Sequence, residues 1–374
     1  MALLMNTYNR RDFIAKGAYS SLAFWLAGSL KIPTALASPL KAVKKCGVPT
    51  LKGIIDCNKL GTTLMHEHIL LGSIPKALQK TTIDIAVKML NDAAKAGVTT
   101  LVDIVPFDSY CNSLPCNASL NEYEIKLELY KAIAAQTPVN IIVSTGFYRY
   151  QKAPQELKSM TEVQMEARMH HAVTEGIGNS KIRAGIIKLA ADRSTLTDWE
   201  KKAFRAAARV QKATGVPIAT HASQGAREQF DLLVENGADP NHLNFAHIET
   251  EQDWEGRNRE QTAEHLLPIL KEGGYLLFNN FSCEFYTPWS DMVYLLRYYC
   301  DKGYTHRILV SEDCNWEWKN GKQVFEKEEE YAEAAKRTYA YMLTHEVPLM
   351  QQSGFTKTEI ETFLVRNPRN FFSS

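Results

Sequence analysis

From Thr62 onward the chain alternates between two hydrophobic patterns. Short, nearly continuous apolar runs are followed by longer segments in which apolar residues return every three or four positions. The short runs read as strands at 62–69, 99–106, 139–146, 184–190, 217–223, 243–248, 275–281 and 307–313. Continuous apolar character is what parallel strands need when both faces are covered. The longer segments read as helices. TIDIAVKMLNDAAKAG places Asp84 as an early-turn acid and Gly97 at the C-terminal cap, and TDWEKKAFRAAARVQKATG runs from a Thr197/Asp198 cap to Gly215. NEYEIKLELYKAIAAQTP and AREQFDLLVENGADP follow the same logic. Eight strand runs, each followed by a helix, predict an α/β fold of the (β/α)8 TIM-barrel type. An open doubly wound sheet is the structural alternative, but no G-x-G-x-x-G follows the first strand to support a dinucleotide version. Ahead of the barrel, 48–63 predicts a short hairpin turning through Asp56–Gly61. The charge run 326–337 predicts a solvated helix face.

Polar residues break this pattern at particular places. TTLMHEHILL puts His66 and His68 on one face of the first strand, because side chains alternate along a strand. Two buried imidazoles side by side are costly unless they are satisfied, either by hydrogen bonds or by a shared ion. Lys188 on the fourth strand, His221 on the fifth, His247 on the sixth and Asp313 on the eighth all fall toward the C-terminal ends of their runs. That end of a barrel is where active sites are built. Four imidazoles and a carboxylate are nitrogen and oxygen donors suited to Zn, and also to Mn, Fe, Co or Ni. Five such ligands plus a lysine exceed what one ion takes and suit two. A lysine that reacts with carbon dioxide becomes an anionic carbamate able to bridge them. A binuclear centre at the C-terminal face is therefore expected. Asp313 would be both ligand and proton carrier.

Composition narrows the partners. Charged residues make up 23% of the 374, and the net charge is +1, so no field points to nucleic acid or an anionic membrane. The N-terminus carries Arg10-Arg11, an uncharged run from Gly17 to Leu30 and the A-x-A sequence Ala35-Leu36-Ala37. This layout predicts a cleaved Tat-type export signal over 1–37, a hydrolase domain over 38–374, and an exported, periplasmic or secreted product with no stable membrane span. Among the 7 cysteines, Cys111 and Cys116 are near enough in sequence to bridge in an oxidising compartment, with free buried thiols as the other reading.

His66-x-His68, Lys188, His221, His247 and Asp313, in this order on strands one, four, five, six and eight, resemble the phosphotriesterase family of the amidohydrolase superfamily. GTTLMHEHIL, AGIIKLA and the C-terminal NPRNFF are similar to further motifs of that family. The resemblance implies a hydrolase in which a metal-bridging hydroxide attacks the substrate. His66, His68 and Asp313 would hold one ion and His221 and His247 the other, with carboxylated Lys188 between them. The expected substrate is a small molecule, a lactone or other carboxylic ester, with a phosphotriester or an amide as alternatives. An inactive metal- or ligand-binding barrel is the non-enzymatic alternative. Tyr148 falls where the family's lactonases carry a tyrosine and its organophosphate hydrolases a tryptophan. Tyr148, Phe281 and Trp316 are expected to touch substrate, within a mouth that also includes Tyr150, Phe285, Tyr286, Trp289 and Trp318. Those aromatics equally suit loop packing or a homodimer interface. Two departures stand out. Glu249-Thr250 replaces the acidic relay pair of the organophosphate enzymes, and Asn279-Asn280-Phe281 replaces an aspartate with a histidine or arginine. Members with a Phe-rich seventh strand often carry glutamate as the bridge, so Lys188 makes this chain a mixture.

Overall fold

The computed structural model describes residues 46–373 apart from 73, 107–119, 154, 192, 194 and 252–255, with only the backbone of 120–125 and 152. The signal-like stretch 1–37, Cys111 and Cys116 lie outside the described residues. The remaining cysteines, Cys46, Cys57, Cys283, Cys300 and Cys314, are free thiols.

A hairpin comes first, β1 (Gly47–Thr50) against β2 (Gly53–Asp56). Eight strands follow: β3 (Thr63–Glu67), β4 (Thr100–Pro106), β5 (Asn140–Phe147), β6 (Ile186–Ala190), β7 (Ile218–His221), β8 (Leu243–Ala246), β9 (Tyr275–Phe278) and β10 (Ile308–Val310). They pair in parallel in chain order from β3 to β10. Helices lie between them, so the (β/α)8 expectation holds. The barrel closes between β3 and β10 through single bonds. Asp313 N donates to His66 O at 3.1 Å, His68 N to Cys314 O at 3.1 Å, and His66 N to Ser311 Oγ at 2.9 Å.

Helix ends follow local chemistry. Asp198–Thr214 starts on the expected Thr197 cap, where the threonine hydroxyl accepts from Glu200 N and the Glu200 carboxylate accepts from Thr197 N; it ends on left-handed Gly215. Two apolar layers hold the fold. Outward strand residues such as Leu64, Ile187 and Phe245 pack under the helices. Inward ones, Met65, Val102, Ile142, Ile186 and Leu309, fill the lower barrel, which Val48 of the hairpin and Phe371 and Phe372 of the C-terminus plug.

Three expectations are corrected. The hairpin turns at Leu51–Lys52, and Asp56 instead caps a 3-10 turn over Cys57–Lys59. The first helix begins at Gln79, so Asp84 sits in its second turn, paired with Lys80. The run 326–337 is turns and a 3-10 helix (Ala332–Lys336), not an α-helix face, and it buries Arg337. The expected strand ends were also too long. His68, His247 and Asp313 fall just past the ends of β3, β8 and β10, whereas Lys188 and His221 stay in the ladder. Among the described residues no helix is long and apolar enough to cross a membrane.

Candidate metal centre

Strict alternation would not bring His66 into the barrel, because Met65 already points inward. A register shift between Leu64 and Glu67 re-phases β3. His66 and His68 then both face the cavity, their ring centroids 5.6 Å apart. Glu67 turns to the seam. It accepts from Ser311 Oγ at 2.6 Å, Glu312 N at 2.9 Å and Cys314 N at 2.7 Å. Burial still pushes its carboxyl up to about 7.

Lys188 points inward with Ile186, two residues earlier on β6. Its neighbour Gly146 on β5 has φ 136°, and a Cβ there would stand 2.0 Å from the Lys188 carbonyl oxygen, so only glycine fits beside the lysine. His221 ends β7. His247 follows β8 at φ 64° and Asp313 follows β10 at φ 52°, conformations that cost a non-glycine residue about 1–3 kcal/mol and cluster at functional sites.

These groups converge. Asp313 Oδ1 lies 2.8 Å from His68 Nε2 and 3.6 Å from His66 Nε2, and Oδ2 lies 3.7 Å from His247 Nδ1. Lys188 Nζ is 3.5 Å from His66 Nε2. The His221 and His247 rings are 4.2 Å apart. Burial, with neighbouring cations, holds His66 and His221 well below the usual imidazole range, and burial holds His247 at about 3. Burial lowers Lys188 to about 7. For Asp313 burial acts upward, but His247, His68 and Arg337 together outweigh it and keep the carboxylate ionised.

The residues fit a metal. One ligand atom each from His66, His247 and Asp313 lies within 4.8 Å of the others. Nδ1 of His66 and of His68 is buried with no hydrogen-bond partner among the described residues. His66, His221 and His247, held neutral beside an ionised carboxylate, are deprotonated donors ready for a cation, while at His68 burial is outweighed by the bond and charge of Asp313, which raise its imidazole.

All six expected ligands line one cavity of about 320 Å³. Tyr148 lines it too, its ring 5.8 Å from His221. Phe281 and Trp316 do not line it; both are buried in the outer core, Phe281 against Trp289 and Trp316 with its indole N–H to Tyr339 Oη. The expected aromatic mouth is thus mainly loop packing. Phe285 stacks on Tyr331 at 4.4 Å, and Trp318 donates to the Thr82 hydroxyl at 2.9 Å. The upper wall is a charged hairpin, β11 (Trp316–Lys319) and β12 (Lys322–Phe325), bringing Glu317, Lys319, Glu326 and Lys327 to the cavity.

The two departures from the family pattern serve as supports. Buried Glu249 accepts from Asn279 N and Asn280 N, at 3.2 and 2.8 Å. Asn279 Oδ1 accepts from His247 N, and its Nδ2 reaches His247 Nδ1 at 2.9 Å. Sequence reasoning missed Arg149, Asp103, Ser311 and Arg337. Arg149 Nη2 stands 2.5 Å from His221 Nε2. Asp103 accepts from Ile69 N at 3.1 Å and from the Tyr130 hydroxyl, tying down the exit of β3. Arg337 donates to the Glu312 carbonyl beside Asp313. A carboxylate inside an apolar strand is a readable signal for Asp103. Nothing local marks Arg337, which sits in a run of surface charge.

A parallel barrel that gathers imidazoles, a carboxylate and a buried lysine at the C-terminal ends of its strands defines the metal-binding hydrolase barrels. The chain belongs to the phosphotriesterase family, whose match spans residues 46–372. Enzymes of this family are binuclear metal hydrolases that act on small molecules. The chain is 27% identical over 346 residues to a phosphotriesterase homology protein of Mycobacterium tuberculosis, covering 86% of this chain and 96% of that one. It is 26% identical to a phospho-furanose lactonase of Mycoplasmopsis synoviae, covering 86% of this chain and 90% of the relative. The solved organophosphorus hydrolase of Deinococcus radiodurans superposes with a TM-score of 0.74 at 26% identity, over 88% of this chain and 97% of that one.

Proposed function

We propose that this chain hydrolyses a carboxylic ester, with a lactone as the leading substrate. In this reading His66, His68, Lys188, His221, His247 and Asp313 hold two divalent ions, zinc by preference, and Lys188 does so as its carbamate. The observation that carries the reading is the convergence of these six side chains on one cavity floor. Bound there, the ions supply Lewis acidity, acidifying water and polarising the substrate's carbonyl. The chain's own groups do the rest. Burial keeps part of the Lys188 amine neutral, the form that takes up carbon dioxide. Asp313, 2.8 Å from His68 Nε2, receives the proton of the attacking water. Tyr148 at the cavity wall favours a carbonyl substrate over a phosphoryl one. The M. synoviae relative's lactone substrate points the same way, and the D. radiodurans hydrolase keeps the phosphotriester in view. Residues 1–37 would direct export of the folded protein.

The test is elemental analysis of mature protein grown with several transition metals, joined to a panel of a γ-lactone, an acyl-homoserine lactone, an aryl acetate, an N-acyl amino acid and paraoxon. About two ions per chain with lactone or ester turnover is the expected result. Two ions with only paraoxon or amide turnover would move the substrate to that class, and no bound metal would overturn the proposal. Lys188→Ala should lose one ion per chain; unchanged content would refute the bridge.

A further inference from the structure

The β1–β2 hairpin brings two thiols together. Its ladder sets Thr50 against Gly53, Pro49 against Ile54, Val48 against Ile55 and Gly47 against Asp56, so the next rung sets Cys46 against Cys57. Cys57 N donates to Cys46 O at 3.2 Å, which makes this a hydrogen-bonded rung. Opposed Cα atoms on such a rung stand about 5.5 Å apart, inside the roughly 4.4–6.8 Å that a disulfide spans. Opposed side chains share a face of the ladder, and here the two thiols are within hydrogen-bond reach of each other. Val48 and Ile55 carry the same face into the lower barrel.

The bonds these thiols make are weak ones. Cys46 Sγ donates to the Phe372 carbonyl at 3.1 Å. Ser373 Oγ donates to Arg369 O at 2.6 Å, so at 3.2 Å from Cys57 Sγ it accepts the thiol proton. A thiol is a poor donor, and little is lost when both protons leave. A covalent bond between the sulfurs would lock the hairpin where it meets the C-terminal plug of Phe371 and Phe372, at the end of the barrel opposite the cavity floor.

We propose that Cys46 and Cys57 are a disulfide site, closed in an oxidising compartment, that staples the hairpin at the base of the barrel. The pairing stands on the ladder; the compartment rests on the export reading of residues 1–37 above. The oxidant is itself a disulfide, that of an oxidoreductase or of glutathione. One cysteine thiolate attacks it, forming a mixed disulfide and releasing one of its sulfurs. The other cysteine thiolate then attacks the first cysteine's sulfur and releases the second. One S–S bond is made for the one broken, two electrons pass to the oxidant, and the two thiol protons end on its sulfurs. Cys46 is half-buried, so an oxidant can reach it. Burial and the neighbouring Cys57 push its thiol up to about 12, which makes exchange in the folded chain slow.

Two measurements on the full mature protein test this. Trypsin cuts after Lys45, Lys52 and Lys59, so only a bond between these cysteines holds peptides 46–52 and 53–59 together. Protein purified in the reduced state is equilibrated for a day with oxidised and reduced glutathione, quenched in acid, alkylated, digested and weighed. The linked peptides should predominate even with reduced glutathione in about tenfold excess. Two separate peptides, each alkylated or carrying glutathione, would overturn the proposal. After the glutathione is removed, oxidised wild type should melt about 5 °C above reduced wild type, and Cys57→Ser should melt alike after either treatment. Equal melting of the two wild-type forms would overturn the staple, as would an equal shift in Cys57→Ser.

The same peptides are then read in protein alkylated directly in cells that make the chain with and without residues 1–37. Linked peptides with the segment and free thiols without it are the expected result. Free thiols in both, from a chain that closes the bond when purified, would sink the export reading and leave the disulfide site standing.

Discussion

The two sides of the cavity floor are built differently. On the β3–β10 side each donor is braced from behind. Glu67 ties β3 to Ser311, Glu312 and Cys314, Ser311 holds His66 N, and Arg337 holds the carbonyl next to Asp313. On the β5–β7 side His221 is half-buried, and its Nε2 meets Ser223 Oγ at 3.3 Å and the Arg149 guanidinium at 2.5 Å. On both sides a ring nitrogen already has a side-chain neighbour, Asp313 for His68 and Arg149 for His221, so the difference lies in the bracing of the backbone behind them. In the two-ion reading proposed above, ligands with a braced backbone lose less on binding, which would put the tighter ion at His66, His68 and Asp313.

The largest expected effect breaks the braced side at its chemistry. Asp313→Asn should keep the circular dichroism of the wild type while cutting turnover about a hundredfold or more, as for a lost acid–base group. Full activity would remove Asp313 from its role. Next is the brace itself. Arg337 is buried, with Nε 3.5 Å from Glu312 Oε2 as well as its bond to the backbone. Arg337→Met should cost about 2 kcal/mol in urea unfolding, in line with a lost buried hydrogen bond to a charged group. Wild-type stability would show that the seam stands without it. Glu67→Gln sharpens the contrast, because an amide cannot accept all three seam bonds. When zinc is titrated into metal-stripped protein against a chelator of known affinity, the tighter ion should weaken about tenfold, with the weaker ion unaffected. Equal weakening of both would erase the distinction between the sides. The smallest effect lies far from the floor. Thr197→Ala removes one helix cap and should cost about 1 kcal/mol without changing metal content; a change in metal content would mean that the helix ends communicate with the site.

The barrel was readable because each strand and helix announces itself locally. Apolar runs such as GIIKLA and capped amphipathic segments such as 197–215 need no distant partner to be recognised. The polar cavity floor was readable for a related reason: a histidine or lysine in a strand otherwise apolar is an anomaly in one dimension. The substrate wall was not. Phe281 and Trp316 carry the composition of a binding mouth, but the chain path turns both into the core, and no local pattern separates an aromatic that lines a cavity from one that packs a loop. The Leu64–Glu67 register shift was hidden as well, since it exists only against β4.

Two things were therefore determined by sequence alone: the alternation of strands and helices, and which six polar side chains gather at the cavity floor. Both follow from periodicity and burial cost, which act over a few residues. Tertiary structure decided which residues stand behind those side chains. Arg337 beside Asp313 and Arg149 on His221 Nε2 join segments far apart in the chain or at the barrel's closing edge. Their partners are chosen by closure of the sheet and by the need of a buried charge for an opposite or accepting group. That requirement has no period, so it leaves no trace along the chain.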